Sequence, residues 1–151
     1  MRWSTALIPI FILAGWVNYA SAHTIRPAVA TIVVDDSGTI DIRIRTNAEA
    51  MLAEIGPEHS DTDDSPNAGR YNKLRSMGPE ILTEKFAEFT PVLVNMPILR
   101  ADGQPLSLGY NGIEIPPVGD VELARDSTLL MQGSMPAGAT AITWAWPAEY
   151  G

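Results

Sequence analysis

Ile40-Asp41-Ile42-Arg43-Ile44-Arg45-Thr46-Asn47-Ala48-Glu49-Ala50-Met51-Leu52-Ala53-Glu54-Ile55 (residues 40–55) changes its period once, and that change decides the fold class. Up to Arg45, isoleucine alternates with a charged residue. Strict alternation is the pattern of a half-buried strand with its isoleucines inward. From Thr46 the apolar residues Ala48, Met51, Leu52 and Ile55 fall at i, i+3, i+4 and i+7, the stripe of a helix. Thr46 and Glu49 have the T-x-x-E spacing of a capping box. Gly56-Pro57 reads as the stop.

Upstream, Ala28 to Val34 is rich in β-branched residues, and Asp36-Ser37-Gly38 separates it from the isoleucine strand. The pair predicts a β-hairpin. Downstream, Ser65-Pro66 reads as the cap and first turn of a second helix, with Tyr71, Leu74 and Met77 inward. Gly78-Pro79 opens a third helix, in which Leu82, Phe86 and Phe89 repeat at helical spacing and Pro91 is expected to end it. Val92 to Leu99, interrupted by Pro97, predicts an edge or bulged strand. Asp102-Gly103 and Asn111-Gly112 are turn signals, and Ile113–Ile115 and Thr128–Gln132 short strands. Ala139 to Trp146 predicts a strand with Ile142, Trp144 and Trp146 on one face. Strands, a helical insert over about 47–90, then strands imply an α+β fold: an antiparallel sandwich-like domain with a small helical subdomain.

The first 22 residues read differently. Arg2 precedes an uncharged, mostly apolar run, Ala6 to Val17, and Ala20-Ser21-Ala22 follows. That is the pattern of a secretory signal peptide cleaved after Ala22. The run is short for a membrane span, which needs about 20 residues. Of 151 residues 129 would remain, and loss of Arg2 takes the net charge from −8 to −9. The expected product is an exported, periplasmic, single domain over 23–151.

The surplus of Asp and Glu (18) over Lys and Arg (10) argues against a nucleic-acid partner, which requires a basic stripe. Without cysteine there is no disulfide-linked partner, zinc–thiolate site or cysteine nucleophile. There is no G-x-S-x-G elbow, H-E-x-x-H or P-loop, so no catalytic residue is assigned and the chain is not expected to be an enzyme.

Metal chemistry has two histidines to work with. His23 would be the mature N-terminus, where its α-amine and imidazole can close a chelate ring on copper or nickel. His59 would supply a second imidazole. It lies in the acidic loop Glu58-His59-Ser60-Asp61-Thr62-Asp63-Asp64, whose Asp61, Asp63 and Asp64 are candidate oxygen ligands, with Arg26 and Glu58 supporting them from behind. The loop fails as an EF-hand: counted from Asp61, the sixth residue is Pro66 and the twelfth Asn72, where Gly and Glu are needed. The alternative is a solvated loop whose acids favour the start of the following helix.

His23-Thr24-Ile25-Arg26-Pro27-Ala28 after a signal peptide resembles the start of HupE/UreJ-like proteins. The stretch 55–67, from Ile55-Gly56-Pro57-Glu58-His59 to Ser65-Pro66-Asn67, resembles the extracytoplasmic region of the same family. So does Pro116-Pro117-Val118-Gly119-Asp120-Val121-Glu122-Leu123-Ala124-Arg125. The resemblance implies the leading periplasmic domain of a nickel or cobalt permease, whose transmembrane helices would follow it and are absent from this sequence. It also implies a membrane-embedded permease part as partner. Two functions are therefore expected: a metal-handling accessory domain that presents nickel, cobalt or copper to that partner, or an interaction domain that binds no metal. A copper oxygenase built on His23 is a third, less supported reading.

Overall fold

A computed structural model describes residues 25–150. The signal-peptide reading and His23 lie outside them. Two antiparallel sheets and three helices make up an α+β fold.

The first sheet is built on the isoleucine strand. β1 (Val29–Val34) and β2 (Thr39–Thr46) form the expected hairpin, with Ile32 opposite Ile42 and Ala30 opposite Ile44. Asp35 holds its turn: one carboxylate oxygen accepts from the Ser37 and Thr39 amides at 2.8 and 2.9 Å. Ile40, Ile42 and Ile44 are buried to 1% exposure or less, while Asp41, Arg43 and Arg45 face out. β2 pairs on its other side with β6 (Ser127–Ser134), which sets Leu129 and Met131 inward against Ile44 and Ile42. β5 (Gly109–Glu114) completes the order β1-β2-β6-β5. At Gly133, opposite Ile40, a Cβ would lie 2.7 Å from Leu108, so only glycine fits without displacement.

The helical insert runs from Ala48 to Val94. α1 (Ala48–Ala53) is buried on every side. Its cap differs from the T-x-x-E reading. Thr46 remains in β2, and Asn47 is the N-cap, its Oδ1 accepting from Ala50 N at 2.9 Å. The helix ends before Gly56, at Glu54, which takes the left-handed conformation (φ +59°). The Ile55 amide reaches back to Ala50 O and the Glu54 amide to Met51 O, a Schellman closure.

α2 (Ala68–Arg75) starts later than Ser65-Pro66 suggests, because Thr62–Asp64 forms its own short 3-10 turn first. α3 (Pro79–Val94) starts as expected but continues through Pro91. The bond lost at Pro91 would have used the carbonyl of Ala87, which is exposed and within reach of water. Leu93, fully buried, adds one more step to the Leu82, Phe86, Phe89 stripe and holds the last turn. The predicted strand at Val92–Leu99 is thus helix in its first part.

The second sheet has the order β4-β3-β7, from β3 (Leu99–Ala101), β4 (Gln104–Pro105) and β7 (Ile142–Trp144). Asp102 and Gly103 both have positive φ and close the β3–β4 hairpin as the dipeptide predicts. Asn111-Gly112 is not a turn. It lies inside β5 at a bulge between Tyr110 and Gly112, where Gly112 has φ +124°. β7 is shorter than predicted, and Ile142 is 38% exposed, so the single inward face does not hold. One core joins both sheets and the insert, from Ile42 and Leu129 through Met51 and Phe86 to Leu99.

Candidate functional site

The acidic loop is held by its own backbone. Asp61 Oδ1 accepts from Asp63 N at 3.0 Å and caps the 3-10 turn. Asp63 Oδ1 lies 3.5 Å from Asn72 Nδ2 on α2. Asp64 is exposed. His59 is partly buried, with Nε2 3.5 Å from the Glu58 carboxylate, and Glu58 also accepts from the Gly56 amide at 3.3 Å. Among the described residues no three His, Asp or Glu side chains gather as a metal-holding group. Arg26 was expected beside the loop; its ion-pair partner among the described residues is Asp126, at 3.5 Å.

The structure joins two stretches that are far apart in sequence. Asp63, Asn72 and Arg75 on one side, and Val121 and Glu122 on the other, line a hollow of about 230 Å³. The segment that carries Val121 and Glu122 also supplies half of a buried ion pair absent from the sequence reading. Arg125 Nε donates to Glu49 Oε1 at 2.6 Å, with the Glu49 side chain fully buried and that of Arg125 9% exposed. The other two guanidinium nitrogens of Arg125 donate to the carbonyls of Pro116 and Met77, each at 3.2 Å. One side chain thus fastens segment 116–126 to α1 and to the α2–α3 link. Such a full set of partners offsets the desolvation cost of a buried guanidinium.

Next to this pair, Asn47 Nδ2 donates to the buried Tyr71 hydroxyl at 2.8 Å. Burial pushes the Tyr71 phenol above its ordinary value, and the Asn47 hydrogen bond offsets part of that. Arg75 stacks over the Tyr71 ring at 5.1 Å and donates from Nη1 to Asn72 Oδ1. Its Nε and Nη2, together with Glu49 Oε2, have no hydrogen-bond partner among the described residues. Glu49, Arg75 and Arg125 were not among the expected site residues. One signal pointed to Glu49: flanked by Ala48, Ala50, Met51, Leu52 and Ala53, it sits in a helix too apolar to leave any face in water.

Trp144 and Trp146 stack at 5.8 Å with planes 11° apart, and Tyr150 links Trp146 to Phe89. All four pack against the core. Among the described residues no helix is long and apolar enough to cross a membrane. Comparison of the chain with protein-family models, characterised proteins and solved structures returned no match.

Proposed function

We propose that this chain is the extracytoplasmic accessory domain of a HupE/UreJ-like permease, and that it acts by docking on the membrane-embedded part. The observation that carries this reading is the convergence of the two internal stretches that resemble the family. Residues 55–67 and 116–125 meet at the hollow between Asp63 and Glu122, and Arg125 fastens the second stretch to the insert beside the first. Such a polar, mixed-charge face suits recognition. It brings together no nucleophile–base pair.

The test is fractionation and uptake. The full chain with its leader should appear outside the cytoplasm, and deleting it should lower nickel or cobalt uptake by cells carrying the permease part. Cytoplasmic retention, or uptake indifferent to the deletion, would overturn the proposal.

Metal presentation is the second reading, favoured by one observation. His59 keeps its imidazole partly exposed beside a carboxylate, a nitrogen–oxygen pair of the kind nickel and copper accept. The remaining donors would have to come from His23. Titrating nickel or copper into protein that begins at His23 should show binding that a single preceding residue abolishes. Binding unaffected by that residue, or absent, removes this reading and leaves the docking role.

A further inference from the structure

The helical insert has a second face, away from the hollow. Three of its four cations gather there: the only two lysines of the chain, Lys73 and Lys85, and Arg70. They line a groove between α2 and α3 with Leu52, Leu74 and Met77 as its apolar floor. The groove consists of two hollows, about 210 and 190 Å³, which share Leu52, Arg70, Lys85 and Glu88 as walls. Arg70 pairs with Glu54 at 3.2 Å, whereas neither lysine has an ion-pair partner among the described residues. Beside the groove, α3 presents Ile81, Lys85, Glu88 and Val92, spaced at i, i+4, i+7 and i+11 along one helical face. Ile81 and Val92 are 52% and 50% exposed, although the inward stripe of the same helix is buried.

We propose that this groove seats an acidic amphipathic helix of the membrane partner, lying along α3 over Leu52. The proposal rests on the docking role above and names its surface. From Ile81 to Val92 the face spans roughly 16 Å, about three helical turns. Apolar residues of the incoming helix would cover Ile81, Val92 and the floor, and its acids would meet Lys73 and Lys85. Charge selects this occupant. An acidic segment is repelled by most of a chain at −8 overall and finds unpaired lysines here. A flat anionic lipid surface fits less well, because it cannot reach Leu52 and Leu74, which are only 8% and 5% exposed at the floor of the groove.

The probe is a labelled synthetic helix of about 15 residues, with leucine at helical spacing and glutamate on both flanks. A twin carries lysine for each glutamate. The glutamate helix should bind the full chain with a Kd of about 10–100 μM, more weakly as salt rises, and the lysine helix should not. Lys73→Glu with Lys85→Glu should weaken binding about tenfold or more, and Ile81→Ser with Val92→Ser should weaken it as well. All four positions are on the surface, so the circular dichroism and melting of these variants should stay unchanged.

Equal binding of the two helices, or binding untouched by both double variants, overturns the proposal. So does lysine-dependent binding to phosphatidylglycerol vesicles without binding to the glutamate helix. Uptake separates the two levels. If the lysine variant supports uptake like the parent while deletion of the chain abolishes it, the groove proposal falls and the docking role stands.

Discussion

The β1–β2 hairpin and the α1–α2 part of the insert stand side by side in one core but are specified in different ways. In the hairpin the instructions are mostly local: isoleucine alternates with charge, and Asp35 accepts the amides of its own turn. Its distant ion pair, Arg43 with Glu114 71 residues away, is exposed on both sides and so contributes little. In the insert the decisive contacts are distant and polar. Glu49 is bonded to Arg125, 76 residues away, and Asn47 to Tyr71, 24 residues away. A local pattern can be damaged in small steps. A buried charge pair fails all at once when one member is lost.

The sharpest way to break this contrast is Glu49→Ala, which leaves the Arg125 guanidinium buried without its carboxylate. Urea denaturation should show a loss of about 3–5 kcal/mol. The double change Glu49→Leu with Arg125→Met should recover most of it, since no orphaned charge then remains. If the double variant is as unstable as the single one, the pair is not the fastening that it looks to be.

Ile42→Ala, in the hairpin, removes a side chain that is 1% exposed and should cost about 2–4 kcal/mol. Here no second substitution at a remote charge should rescue it. Asn47→Ala removes the α1 cap and the Tyr71 hydroxyl's partner together, for a loss of about 2 kcal/mol. It should also make the protein more sensitive to alkali. The Tyr71 phenol is raised in the fold, so its contribution is complete below the ordinary tyrosine range and is lost as pH climbs through the folded value.

The smallest effect belongs to the exposed hairpin turn. Hydrogen bonds from the Ser37 side chain and the Thr39 backbone hold the Asp35 carboxyl below its ordinary range. Its contribution is therefore complete above that range and is lost as pH falls through the lowered value. An acid melt of Asp35→Asn should be flatter there than that of the parent. An unchanged acid limb would show that the turn does not draw on this charge.

The contrast also explains what was readable in the sequence. The hairpin, the inward faces of β2, α2 and α3, and the Asp102-Gly103 turn follow from periodicity and turn chemistry. The misreadings arose where a local signal met a tertiary contact. Glu49 has capping-box spacing, yet Arg125 draws it into the core. Pro91 is a breaker, yet Leu93 continues the stripe of Leu82, Phe86 and Phe89 and carries α3 past it. Asn111-Gly112 has turn chemistry, yet pairing with β6 uses it as a bulge. The acidic loop was visible as a motif, but its meeting with Glu122 depends on how segment 116–126 is fastened, and no short window of sequence encodes that.

What is proposed above is docking on a partner in the membrane. The most direct measurement is co-purification: an affinity-tagged full chain, expressed with a HupE/UreJ-like membrane part and extracted in mild detergent. A complex near equal stoichiometry should survive washing, and Glu49→Ala, by releasing segment 116–126, should weaken it. A chain recovered alone, from membranes in which the permease part is folded and active, would contradict the docking role.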